Sequence, residues 1–235
     1  MMVDVIVIGA GHAGCEAAYA CAKAKLNTKL ITISKKHIAL MPCNPSIGGP
    51  AKGIVVREIE ALGGIMGKIA DKTALQFKML NKSKGPGVWS LRVQSDKDAY
   101  SNLMKDTLES LENLEILEGV VNDLYIKDQE IKGIYLDQQL ILSKVVIITA
   151  GTYLRSKIMI SDDIKYSGPD GLATSFGISE CLKKHGIEVF RLKTGTPPRI
   201  MTSSVNLEKA LIQPGDNDIE TFSWFSLKSD LIKKQ

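Results

Sequence analysis

"VDVIVIGAGHAGCEAAYACAKAKLNTKLITI", residues 3–33, decides the fold. Residues 3–8 are a short β-branched apolar run, the composition of a strand buried in a parallel sheet. "GAGHAG" (Gly9, Ala10, Gly11, His12, Ala13, Gly14) follows at once. The next eleven residues are Ala-rich and helix-forming, and 28–33 read as a second strand. Strand, turn, helix and strand in about thirty residues is a Rossmann-like unit, right-handed by rule. Its G-x-G-x-x-G spacing has a physical reason at each glycine. Gly9 permits the tight turn, Gly11 lets a pyrophosphate approach the backbone, and Gly14 lets helix and strand pack closely. The phosphates would meet free N–H groups at the helix N-terminus. A mere tight turn is the competing reading, but strand before and helix after is the context a dinucleotide site requires.

One part of that site is missing. An acidic residue is expected about twenty positions on, at the end of the second strand, to take the ribose hydroxyls. The strand ends instead in Ile33, Ser34, Lys35. This disfavours an NAD site and leaves FAD, whose contacts are more distributed. "SKVVIITAGTYL" at 143–154 reads as a further buried strand ending in a small-residue turn.

Beyond the unit, 34–53 is a long irregular stretch, of the kind that is functional or disordered in compact domains. It holds Cys43 between Pro42 and Pro45, ahead of Gly48 and Gly49. A helix is expected over 54–63, stopped by Gly63 and Gly64. "NKSKGPG" at 81–87 is a glycine-bearing loop. A helix over 96–111 opens on Asp96, and a strand follows at 114–119. Residues 120–142 suggest a β-meander. A helix over 171–186 stops at Gly186, and 187–192 read as a strand. The last thirty residues show no partner element. Residues 1–155 are thus expected to form the nucleotide-binding domain, and 156–235 a partial inserted or substrate region.

The chain has 235 residues and a net charge of +4, only weak support for a polyanionic partner. Its four cysteines show neither CxxC nor metal-ligand spacing, which disfavours a disulfide framework and a zinc site. No segment is apolar enough to span a membrane, and none resembles a signal peptide. The expectation is a soluble, cytoplasmic protein.

"GAGHAG", "MPCNPSIGGPAKG", "REIEALGG", "SKGPG" and "RLKTGTPPRI", in this order, resemble the N-terminal part of the MnmG (GidA) family over about residues 3–225. The resemblance implies an α/β two-dinucleotide-binding-fold flavoprotein that modifies the wobble uridine, U34, of certain tRNAs at C5. It implies work with the GTPase MnmE, on carbon from methylene-tetrahydrofolate and electrons from NADH, in a homodimer. It places FAD on Gly9 to Gly14, with further contacts at Val121 and Ser175, and makes Cys43 a reacting residue. A compact turn with free N–H groups and Lys52 nearby would suit a reactive thiolate there. An inert thiol is the reading without the resemblance. His12 would touch flavin phosphate or shield the loop. Arg199 would meet a phosphate or a surface carboxylate. Lys78, Lys82 and Lys84 would face tRNA or simply solvent.

Two departures stand out: Trp89 replaces a family arginine, and "SGPDGL" (167–172) lacks one. Family members are more than twice as long, so the NADH segment, a second cysteine and the MnmE-binding region are expected to lie outside this chain. Alone it is expected not to modify tRNA. A non-catalytic flavin- or tRNA-binding remnant stays open, as does, less favoured, another FAD-dependent oxidoreductase.

Overall fold

The opening run forms strand β1 (Val3–Ile8), and helix α1 (His12–Lys23) follows the glycine turn. The structure, a computed structural model, describes residues 2–168, 171, 174, 176–195, 197, 198, 200–227 and 231. The buried positions of α1 are Gly14, Cys15, Ala18 and Ala22, all small, so the helix axis can lie close against the sheet. Strand β2 (Thr28–Thr32) completes the unit. Next come β3 (Ser46–Gly48), α2 (Lys52–Ala61), α3 (Met66–Lys72), β4 (Ala74–Leu80), β5 (Ser90–Ser95) and α4 (Lys97–Glu109). Asp96 caps α4 as its sequence position predicts, its Oδ1 accepting from the amides of Asp98 and Ala99 at 3.1 and 3.0 Å. Strands β6 (Leu114–Glu118), β7 (Val121–Lys127), β8 (Glu130–Leu136) and β9 (Gln139–Ile148) follow, then the hairpin β10 (Ile158–Ile160) and β11 (Asp163–Lys165), and helix α5 (Gly177–Lys184).

Among the described residues the main sheet has the order β6-β2-β1-β9-β8-β7. Strands β6, β2, β1 and the second half of β9 run parallel, with Val5 opposite Thr28 and Val145, and Thr32 opposite Glu118. The chain is therefore α/β with a parallel, Rossmann-like core. Val5, Val7 and Leu30 face α1 and α4, packing with Tyr100, Met104 and Leu108. Ile6, Ile8 and Ile31 face the other way, toward Val121, Ile134 and Ile178 of α5. Both faces of β1 are covered, which is why its sequence is apolar throughout instead of alternating.

Strand β9 has two jobs. Residues 139–142 pair antiparallel with β8 and close the meander, while 143–148 pair parallel with β1. Thr149 N donates to Ile8 O at 2.8 Å. By the two-residue alternation of a strand, Lys144, Val146 and Ile148 then turn their amides away from β1. No described strand pairs with that outer side. The expectation of a buried strand needs correction accordingly, since Val145 is 47 % exposed.

Other expectations also change. Strands β4 and β5 flank the 81–87 loop and, with β3, make a three-stranded antiparallel sheet that sequence reading missed, as it missed α3. Helix α5 begins at Gly177 and ends where predicted. The amides of Gly186 and Ile187 donate back to Lys183 O and Leu182 O, at 3.0 Å each, with Gly186 at φ +79°. No strand forms at 187–192; Phe190 and Leu192 are exposed there. The C-terminal segment does find a partner: residues 213–226 strap the small sheet to α2 and α3. Asp216 N donates to Phe77 O, and Met79 N donates back to Asp216 Oδ2. Buried Asp71 accepts from Phe222 N, Ser223 N and Ser226 Oγ at 3.0, 2.9 and 2.7 Å. Ser223 Oγ donates to buried Glu60. Phe222, 1 % exposed, fills the space left by the missing side chains of Gly48 and Gly67.

Candidate functional site

The fingerprint sits at the carboxyl end of β1. Gly9 turns with φ +102°, and its N–H donates to Ile31 O at 2.8 Å. A Cβ on Gly14 would lie 1.7 Å from Gly9 O, so the first turn of α1 rests directly on the loop. The Thr149 hydroxyl, at the end of β9, lies 2.9 and 2.8 Å from the carbonyl oxygens of Ile8 and Gly9 and braces the turn from the other side. Gly11 differs from both. Nothing lies within 4 Å of where its Cβ would be, and it is the N-cap of α1. No side chain caps this helix, and its first turn holds no acidic residue. The first-turn amides lack intrahelical acceptors and the helix dipole adds positive potential. Their chemistry fits a diphosphate, with open space at Gly11 for it to approach.

Ala10 is buried and serves the loop through its carbonyl, which accepts from Ala39 N at 2.8 Å; Ala13 is exposed. The His12 side chain turns inward, its ring 5.5 Å from that of Tyr100. Burial holds its pKa below the usual imidazole value. His12 Nε2 and Tyr100 Oη are both buried without a hydrogen-bond partner. What His12 leaves open to an anion is its main-chain amide.

The Cys43 loop is anchored at both ends. Ala39 ties it to the fingerprint, Ser101 Oγ donates to Ile38 O at 2.5 Å, and Ser95 N donates to Pro45 O at 2.8 Å. Cys43 itself is exposed. Cys15 is buried and its thiol is pushed up to about 12, chiefly by burial. Burial also raises Cys21 and Cys181. Some of the free N–H groups expected in this turn are taken up. Gly49 N donates to Leu91 O of β5, and the amides of Lys52 and Gly53 both donate to Gly49 O, so these three donors already have main-chain acceptors.

Val121 opens β7 with its side chain buried, just past the end of β6 and beside the carboxyl edge of the parallel strands. Ser175 and Arg199 lie outside the described residues. Two of the three clustered lysines hold the C-terminal strap: Lys78 Nζ donates to Pro214 O, and Lys82 pairs with Asp216 at 3.0 Å. Trp89 donates from Nε1 to Lys82 O and closes the 82–89 loop. Sequence reading did not single out Thr149 as a brace, although the small-residue turn after the strand marked the place. It also gave no role to Asp71 or Glu118, whose partners are remote in sequence.

A parallel sheet order of this kind, with a glycine fingerprint at the carboxyl end of its first strand, defines a Rossmann-like dinucleotide-binding α/β protein. The family model "Glucose inhibited division protein A" matches residues 4–235. The chain therefore belongs to the GidA family. It is 55 % identical over 225 residues to "tRNA uridine 5-carboxymethylaminomethyl modification enzyme MnmG" of Onion yellows phytoplasma, covering 95 % of this chain and 36 % of that protein. It is 53 % identical over 232 residues to the enzyme of the same name from Acholeplasma laidlawii, covering 98 % and 38 %. The crystal structure of Aquifex aeolicus GidA superposes with a TM-score of 0.93 at 41 % identity, over 96 % of this chain and 38 % of that one. The GidA-related protein of Thermus thermophilus shares the fold alone, with a TM-score of 0.58 at 16 % identity. The chain thus spans little more than a third of the curated relatives it matches.

Proposed function

We propose that the chain is the FAD-binding portion of a tRNA-modifying enzyme, the assembly that installs a carboxymethylaminomethyl-type group on C5 of wobble uridine. Family membership over almost the whole chain supports the class. The observation that carries the cofactor assignment is the uncapped, acid-free N-terminus of α1 beneath open Gly11. In this reading the amides from Gly11 to Gly14 hold the FAD pyrophosphate, and Val121 and Ser175 add further contacts. Bound FAD would supply the redox chemistry. Cys43, exposed on a loop tied to the fingerprint through Ala39 and Ala10, acts on the uracil ring as nucleophile or proton carrier. Residues 1–155 carry the cofactor and 156–235 face the substrate. NADH, methylene-tetrahydrofolate, the GTPase MnmE and a homodimeric cytoplasmic assembly complete the proposal.

Fluorescence titration of the purified chain with FAD tests the cofactor site. Saturable one-to-one quenching, weakened at least tenfold by Gly11→Val, is the expected result. Equal affinity in the variant would remove the pyrophosphate assignment.

A further inference from the structure

The acidic group that a dinucleotide fold places at the end of its second strand is missing from β2, which runs out into Ile33, Ser34 and Lys35. The topology brings one in from elsewhere. Strand β6 lies parallel to β2 with Glu118 in register with Thr32, so both strands end at the same edge. That edge is also where Gly9 leaves β1. Gly119 N donates to Thr32 O at 2.9 Å and holds the two ends together. Glu118 then reaches across: its Oε2 accepts from the amide of Lys35 at 2.7 Å, three residues beyond β2. This fixes the carboxylate over the end of β2, while Oε1 has no partner among the described residues. The side chain is exposed, at the carboxyl edge where open α/β sheets bind their ligands.

Other described acidic groups on or beside these elements are engaged. Asp137 Oδ1 accepts from Val120 N at 3.2 Å, and its Oδ2 lies 2.5 Å from where a Gly119 Cβ would sit, against main chain. Glu115, near the amino end of β6, is paired with Lys29, and half-buried Glu16 on α1 accepts from the amides of Ile65 and Met66.

We propose that Glu118 supplies the missing carboxylate and accepts hydrogen bonds from the adenosine ribose hydroxyls of the bound dinucleotide. The role of a β2 residue is thus filled by the neighbouring strand, 83 positions from Lys35 in sequence. This inference rests on the FAD reading above and names a specificity determinant within it.

The test uses ADP and 2′-deoxy-ADP as probes of the adenosine half, with FAD alongside, by isothermal titration on the full chain. A hydrogen bond to a charged acceptor corresponds to discrimination of about tenfold or more. The wild-type chain is expected to prefer ADP over 2′-deoxy-ADP by about that factor. In Glu118→Ala the preference should fall to near unity. Glu118→Gln keeps an oxygen for Lys35 but loses the charge, and should retain the melting temperature while losing most of the preference. If Glu118→Gln discriminates as wild type does, the carboxylate only caps the turn and the proposal is wrong. Loss of discrimination in Asp137→Asn instead would overturn it too. Gly11→Val separates the two readings. If ADP binding depends on Gly11 but not on Glu118, only this inference fails. If the wild-type chain binds neither ADP nor FAD, both fail.

Discussion

Gly11 and Gly14 lie three residues apart in one motif, yet the structure gives them different physical duties, and alanine at each should separate them. At Gly14 a methyl group would meet Gly9 O at 1.7 Å and Thr149 Oγ1 at 2.7 Å. The first obstacle is main chain at a turn braced by Ile31 O and Thr149, so neither side can give way cheaply. Overpacking of a well-filled site costs about 1–3 kcal/mol, and a collision this close belongs at the upper end. For a chain of this size each 1 kcal/mol moves the melting temperature by about 2–4 °C, so Gly14→Ala should lower it by roughly 6–12 °C with no ligand present. At Gly11 the methyl group meets nothing within 4 Å, and the backbone, at φ −70° and ψ −177°, is open to any residue. Only a modest N-cap preference is lost, under about 1 kcal/mol. Gly11→Ala should therefore melt within about 4 °C of wild type while its flavin affinity falls. The assay is differential scanning calorimetry of both variants without ligand, followed by FAD titration. If Gly11→Ala proves as unstable as Gly14→Ala, or if Gly14→Ala melts like wild type, the division of roles is refuted.

Three further outcomes are expected. Asp71→Ala leaves the amides of Phe222 and Ser223 without their acceptor, at about 1–3 kcal/mol for each buried orphan; early proteolytic cleavage within 213–227 should report the released strap, and a cleavage pattern like wild type's would argue against it. Brief alkylation near neutral pH should label Cys43 first, because burial raises the thiols of Cys15, Cys21 and Cys181; mass spectrometry showing Cys15 or Cys181 labelled ahead of Cys43 would contradict this. Co-production with the part of the Acholeplasma laidlawii relative that lies beyond the matched region should protect the amides of Lys144, Val146 and Ile148 from hydrogen exchange. Val146→Pro, which removes an outward donor at an unpaired edge, should fold but lose that protection.

How legible the site was depends on how local its parts are. The strand-fingerprint-helix order was readable because glycine spacing, the Ala-rich helix and the apolar run are all local signals. The Asp96 cap and the Gly186 stop were readable for the same reason. Strands β4 and β5 were missed because their inward residues, such as Phe77, Leu91 and Val93, alternate with polar ones in runs short enough to pass for loop. Residues 187–192 looked like a strand, but no described strand pairs with them. The strap and Glu118 were invisible for a different reason. Their partners are 151 and 83 residues away, and only the folded topology brings Asp71 to Phe222 or Glu118 to Lys35. Lys78 and Lys82 show the converse error, since a basic cluster that invites a polyanion reading spends two of its charges on the chain's own C-terminal segment.

The most direct test of the account is the nucleoside content of tRNA. Unmodified tRNA is incubated with FAD, NADH, methylene-tetrahydrofolate, MnmE and GTP, and the wobble uridine is read by mass spectrometry. One reaction contains this chain alone. The other contains it co-produced with the remaining part of the Acholeplasma laidlawii relative. Positioning of reacting groups can contribute roughly 7–11 kcal/mol of barrier lowering, and the chain spans little more than a third of the relatives it matches. The account predicts no modified uridine from the chain alone, and its appearance once the remainder is present. Modification by the chain alone would contradict it, as would an assembly that retains flavin and still leaves the uridine untouched.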